Sequence, residues 1–190
     1  MQSSVRILGA TDNDSILLVD DDDVLLGTAP KLDAHRRGLK HRAVSALVRS
    51  PRGDVLLQRR AADKYHSQGL WTNACCSHPR PDESSEDAAS RRLFEEMGVL
   101  CELQPLFTAH YHAAVSNDLI ENEVVHVFGG TFDVRADGTV APDPDEVSDW
   151  KWMPFEEVVA DQAAHPERYS VWFKHYLHNH LDAIAKWMRS

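Results

Sequence analysis

No stretch of this 190-residue chain is apolar for long enough to cross a membrane, and nothing at its start reads as a secretory signal. A cytoplasmic protein without a membrane partner is expected. Cysteine is scarce: Cys75, Cys76 and Cys101 are the full set. Neighbouring cysteines rarely bond each other and the count is odd, so free thiols are expected. Positive charge is also short. Against 30 acidic residues stand 20 basic ones, a net charge of −10, which argues against a nucleic-acid partner. An anionic small molecule would need basic residues gathered locally against that field. No internal repeat or low-complexity tract stands out. Length and ordinary apolar content fit one domain over residues 1–190, with residues 1–15 a polar, weakly ordered start.

Most of the information lies between Trp71 and Val99. Aromatic and β-branched residues open a strand that runs to Cys76 and His78. Pro79, Pro81 and Asp82-Glu83-Ser84 break it. A helix then starts near Ser84 or Ser85, with Glu86 and Asp87 at the positive end of its dipole. Ala89, Leu93 and Met97 share one helical face, while Arg92, Glu95 and Glu96 share another; Gly98 stops the helix. A strand, loop and helix ending in paired carboxylates suit a divalent metal on a diphosphate. Strand alternation makes Cys75 and Cys76 face opposite ways and puts His78 on the side of Cys76. By itself a cysteine is more often a buried inert thiol than a reactive one.

Around this stretch, Ser15–Val19 and Val24–Leu26 read as a hairpin about an acidic turn, Asp20 to Asp23. Four adjacent aspartates without ordered spacing are usually a solvated turn, and a metal site is the lesser alternative. Polar Lys31 to His41 carries His35 and His41. A strand over 42–49, a turn at Pro51-Arg52-Gly53-Asp54 and a return strand over 55–59 follow. Arg60 and Lys64 sit in a basic loop. Residues 100–114 read as one bent strand or a strand pair containing Tyr111. Glu121 and Glu123 then point the same way from an apolar strand. Paired carboxylates on one face repel unless solvated or sharing a cation, and a shared cation is favoured here. Residues 135–139 form a turn, 142–149 an acidic loop, 150–153 a short strand and 154–160 a helix. The last helix spans 170–188, with Trp172 at its start and His175, His178 and His180 along a solvated face.

The central stretch resembles the Nudix box, G-x5-E-x7-R-E-U-x-E-E-x-G-U with U a bulky apolar residue. Glu83, Arg91, Leu93, Glu95, Glu96, Gly98 and Val99 match it, while Ser77 and Arg92 stand where the box has Gly and a catalytic Glu. Replacing that carboxylate by a guanidinium removes a metal ligand and adds a phosphate clamp, so a diphosphate should be bound rather than cut. With TNACCSHP, ENEV, RRAADK and the His35/His41 pair, the chain resembles the type 1 isopentenyl-diphosphate isomerases over roughly residues 30–175. The resemblance implies an α/β (α+β) Nudix-like fold, a mixed β-sheet flanked by helices.

It further implies Cys76 and Glu123 as the catalytic pair, with Tyr111 beside Glu123. Lys31, Arg60, Lys64 and Arg92 would hold the diphosphate, and Trp172 would line the pocket with its ring face. His35, His41, His78, Glu121 and Glu123 would form a metal shell with room for octahedral geometry. That shell suits Mn2+ or Mg2+, with Zn2+ as the alternative. A second Mg2+ would arrive with the substrate and rest on Glu96. The expected partner is a small allylic or homoallylic diphosphate, bound by a monomer. A Nudix hydrolase of nucleoside or prenyl diphosphates is the competing activity, and a non-enzymatic metal or interaction module is the third.

Overall fold

A computed structural model describes residues 14–190. The expected weakly ordered start falls outside these residues, except that Ser15 already opens the first strand. The elements are β1 (Ser15–Val19), β2 (Leu25–Pro30), α1 (Lys31–Arg37), β3 (His41–Arg49) and β4 (Asp54–Arg60). Next come β5 (Trp71–Asn73), β6 (Cys75–Ser77), α2 (Ser85–Met97), β7 (Leu103–Val115) and β8 (Leu119–Thr131). The chain ends with β9 (Val147–Pro154), α3 (Phe155–Ala164), α4 (Val171–Asn179) and α5 (Leu181–Met188). A nine-stranded mixed sheet with helices on both faces results. Among the described residues no helix is long and apolar enough to cross a membrane.

β3 is the axis. It pairs in parallel with β8 over nine positions, from His41 opposite Glu123 to Arg49 opposite Thr131. It pairs antiparallel with β6, Ser45 lying opposite Cys76. The strand is buried on both faces, which is why its apolar run does not alternate. Val44, Ala46 and Val48 pack toward α2, in a core with Ala88, Ala89, Leu93 and Met97. Ala43 and Leu47 pack the other way, against Phe155, Trp172, Phe173, Tyr176, Ile184 and Trp187 of α3, α4 and α5. Burial on both faces is thus written into one strand by residue parity.

Some expectations hold and others are redrawn. The acidic turn is a hairpin turn: Asp20 accepts hydrogen bonds from the Asp22 and Val24 amides at 3.0 and 2.9 Å. Asp21 and Asp23 pair with Lys40 and Arg42, so three of the four aspartates serve as turn acceptors or cation partners. Arg60 is the last residue of β4 rather than part of a loop. Residues 103–115 form one strand that makes a long hairpin with β8. The last helix is not continuous: His180 leaves helical geometry (φ −127°, ψ 20°) and stacks on Phe107 of β7 at 4.2 Å. The break turns α5 so that Ile184 and Trp187 reach the core. Trp187 in turn lies so close to β8 that a Cβ at Gly129 would sit 2.6 Å from its ring.

Candidate active site

α2 carries Arg91, Arg92 and Glu96 to the site. Ser84 caps its start, accepting from the Asp87 amide at 3.0 Å. Gly98 ends it at φ 65°, and a Cβ there would meet the Ala141 carbonyl at 2.7 Å. Arg91 grips Glu83 with two hydrogen bonds of 2.6 and 2.8 Å, and Glu83 also accepts from the Arg80 amide at 2.9 Å. These two box residues therefore tie the 79–84 loop to the helix. Bidentate pairing holds the Glu83 carboxyl below its usual range.

One cavity of about 270 Å³ takes in nearly every expected residue. Cys76, His78, Tyr111, Glu121, Glu123 and Trp172 line it, together with Lys31, Arg60, Lys64, Arg92 and Glu96. Cys75 points away, fully buried on the α2 side, as alternation requires. Cys76 and Glu123 come from β6 and β8, the strands flanking β3. Tyr111 donates a hydrogen bond to Glu123 Oε2 at 2.6 Å. Burial alone would raise the Glu123 carboxyl, but the adjacent His41 imidazole and the Tyr111 hydroxyl pull it down to about 2. Burial first, and the Glu123 charge second, push the Cys76 thiol well up.

At one end of the cavity imidazoles and carboxylates converge. Glu123 Oε1 lies 3.3 Å from His41 Nε2 and 3.2 Å from His78 Nε2. His35 Nε2 lies 3.7 Å from Glu121 Oε2. His35 and His41 turn their Nδ1 atoms to the Lys31 and Leu39 carbonyl oxygens at 2.7 and 2.8 Å, so both Nε2 atoms face inward. Among the described residues, those two Nε2 atoms and Glu121 Oε2 are buried without a hydrogen-bond partner. Unpaired buried donors and acceptors are costly. A divalent cation would satisfy the two imidazoles, and the donor set of His35, His41, His78 and Glu123 fits one. Four of the five expected ligands, His35, His41, His78 and Glu123, form one group, while Glu121 sits with His35 and His66. His66 was not expected at all; its Nε2 is 2.9 Å from Glu121 Oε1.

Cations line the same cavity. Arg92 Nη2 donates to Glu96 at 2.8 Å and to Glu146 at 3.2 Å, and Nη1 donates to Glu95 at 2.9 Å. Lys64 donates to Glu146 at 2.5 Å. Arg60 lies 5.3 Å over the Trp172 ring, and Lys31 Nζ lies 4.7 Å over Tyr65. Burial first, then the charges of Arg92, Lys64 and Arg60, lower the Lys31 ammonium. Carboxylates already pair with Arg92 and Lys64, whereas Lys31 and Arg60 rest on aromatic rings. Buried Glu96 is fixed by Gln58, whose amide donates to it at 2.9 Å. Tyr65, His66 and Glu146 were missed. An aromatic pair inside the polar AADKYHSQ loop was the available signal for the first two. His175, His178 and His180 stay outside the metal-ligating groups found among the described residues.

The NUDIX domain family matches residues 39–174. Isopentenyl-diphosphate Delta-isomerase 2 of Aromatoleum aromaticum is 50% identical over 159 residues, covering 84% of this chain and 82% of the relative. The isopentenyl-diphosphate Delta-isomerase of Burkholderia multivorans is 49% identical over 158 residues, 83% and 88% of the two chains. The chain belongs to the isopentenyl-diphosphate Delta-isomerase family, within the Nudix fold. Among solved structures, DR0079 of Deinococcus radiodurans matches with a TM-score of 0.63 at 20% identity, over 79% of this chain and 89% of that one. A MutT protein of Methanosarcina mazei matches at 0.59 and 21%, over 73% and 91%. Both bear on fold alone. The isomerase family's chemistry must be set by what lines the shared scaffold, and here Arg92 stands where the Nudix box carries a carboxylate.

Proposed function

We propose that the protein interconverts isopentenyl diphosphate and dimethylallyl diphosphate by adding and removing a proton, as a step of isoprenoid biosynthesis. The observation that carries this is the shared cavity, lined by Cys76, the Tyr111–Glu123 pair and four cations. A proton adds to the terminal methylene, and its C–H bond forms at the expense of the alkene π pair. The tertiary carbocation left behind loses a different proton from the carbon nearer the diphosphate. The C=C bond reforms one carbon along, with no net change in protons. Such a reaction needs one acid-base group on each face of a flat hydrocarbon, and exclusion of water. Cys76 and Glu123 supply the groups, and Tyr111 fixes the carboxylate. The Trp172 face lines the slot and stabilises the cation.

Lys31, Arg60, Lys64 and Arg92 bind the diphosphate, and Glu96 would hold the Mg2+ that comes with it. His35, His41, His78, Glu121 and Glu123 would hold the resident cation, Mn2+ or Mg2+, with Zn2+ as the alternative. When bound, it draws charge from Glu123 and sharpens that group's proton transfer. Free thiols suit the reducing cytoplasm as the working compartment. One family match over most of the chain supports a single domain, and we take that domain to act as a monomer.

A Nudix hydrolase is the second activity worth separating, because Glu95 and Glu96 are retained. Arg92 opposes it: its guanidinium already occupies the space between Glu96 and Glu146. A diphosphate panel decides. Dimethylallyl product without phosphate release is expected, and steady phosphate release without allylic product would overturn the isomerase.

A further inference from the structure

We propose that His66 is a positioning residue for the metal site: its Nε2–H donates to Glu121 Oε1 and so aims Oε2 at the cation. His66 is 3% exposed, and its Nε2 lies 2.9 Å from Glu121 Oε1. Its other ring nitrogen, Nδ1, lies 3.1 Å from the Ser67 hydroxyl. An ionised carboxylate only accepts, so the proton sits on Nε2 and Nδ1 accepts from Ser67. The Ser67 amide donates to Ser116 Oγ at 2.9 Å, which ties this loop to the end of β7. Glu121 is thereby anchored from the 61–70 loop, not from its own strand. Its second oxygen, Oε2, is buried and without a hydrogen-bond partner among the described residues, as is His35 Nε2, 3.7 Å away.

The same device occurs a few ångströms away. Tyr111 donates to Glu123 Oε2, leaving Oε1 to His41 and His78. Each inward carboxylate thus has one oxygen held by an outer donor and one turned to the imidazoles. Such outer donors set the orientation and basicity of metal ligands. The alternative is that His66 itself ligates, in a second cation site with His35 and Glu121. His35 opposes it. Its Nδ1 is hydrogen-bonded to the Lys31 carbonyl at 2.7 Å, so only Nε2 carries a free lone pair. One lone pair serves one cation, and the four-donor group of His35, His41, His78 and Glu123 makes the stronger claim on it.

The proposal rests on the metal site above but not on the reaction, and its test reads metal binding. Mn2+ is titrated calorimetrically into the metal-free full chain. His66→Phe, which keeps the ring and removes the donor, should weaken Mn2+ binding by about 10- to 100-fold. His66→Gln restores an N–H and should recover part of that loss. In a Glu121→Ala background, His66→Phe should add less than about a twofold change, because the two act as one unit. Wild-type affinity in His66→Phe, or equal losses in both backgrounds, would overturn the proposal. If His66→Phe does not fold, His66→Gln and Ser67→Ala decide: a several-fold loss supports the role and wild-type affinity in both removes it. A wild-type chain that binds Mn2+ yet makes no allylic product would instead sink the isomerase and leave this inference standing.

Discussion

Tyr111→Phe isolates one hydrogen bond at the reacting carboxylate. The hydroxyl donates to Glu123 Oε2 at 2.6 Å, and Tyr111 and Glu123 are 8% and 3% exposed. Phe fills the same volume, so the fold and the β7–β8 register should persist. A hydrogen bond to a charged group is worth about 1.5–3 kcal/mol. At about 1.4 kcal/mol per decade, its loss from the transition state corresponds to a roughly 10- to 100-fold fall in kcat. Glu123 loses a donor that lowers its carboxyl, so its affinity for protons rises. The Tyr111 hydroxyl is spent on Glu123 rather than on a diphosphate-gripping cation, so KM should stay within about twofold. The assay is conversion of isopentenyl to dimethylallyl diphosphate at saturating Mg2+, with kcat and KM measured separately. A KM increase at unchanged kcat, or wild-type values for both, would refute the role given to this pair.

Three further outcomes follow from the geometry. Cys76→Ala should abolish turnover with an unchanged fold, whereas Cys75→Ala, whose thiol packs against α2, should cost about 1 kcal/mol of stability and little activity; denaturation and rate measurements on both variants check this. Arg92→Leu should raise KM for the diphosphate by at least about tenfold with a smaller change in kcat, because a charge-assisted anchor is lost. In metal-free protein, Glu123 ionises at about 2 folded against a usual 4.5, so the unfolded chain takes up the proton first as acid is added. The stability it contributes is present above about pH 4.5 and disappears as pH falls to about 2; a urea midpoint series should show that drop flattened in Glu123→Gln.

Much of the architecture was legible because it is written in local chemistry. Ser84, Asp87 and Gly98 mark the ends of α2, and each does in space what its type implies. Residue parity separated Cys75 from Cys76 and put Glu121 with Glu123. What was hidden depends on long-range contact. The α4–α5 break is set by His180 stacking on Phe107, over seventy positions earlier in the chain. His66 and Glu146 lie in polar loops, and nothing in their spacing says that one will meet Glu121 and the other will bridge Lys64 and Arg92. Residue type announced which groups could do chemistry, but only the fold decided which would meet.

The most direct test of proton exchange between Cys76, Glu123 and the hydrocarbon is made in heavy water. Purified protein is incubated with isopentenyl diphosphate and Mg2+, and the dimethylallyl diphosphate is read by mass and NMR. Deuterium at the new methyl group is expected with the native chain, and none above background with Cys76→Ala or Glu123→Gln. Equal deuterium incorporation by the native chain and both variants would contradict the account.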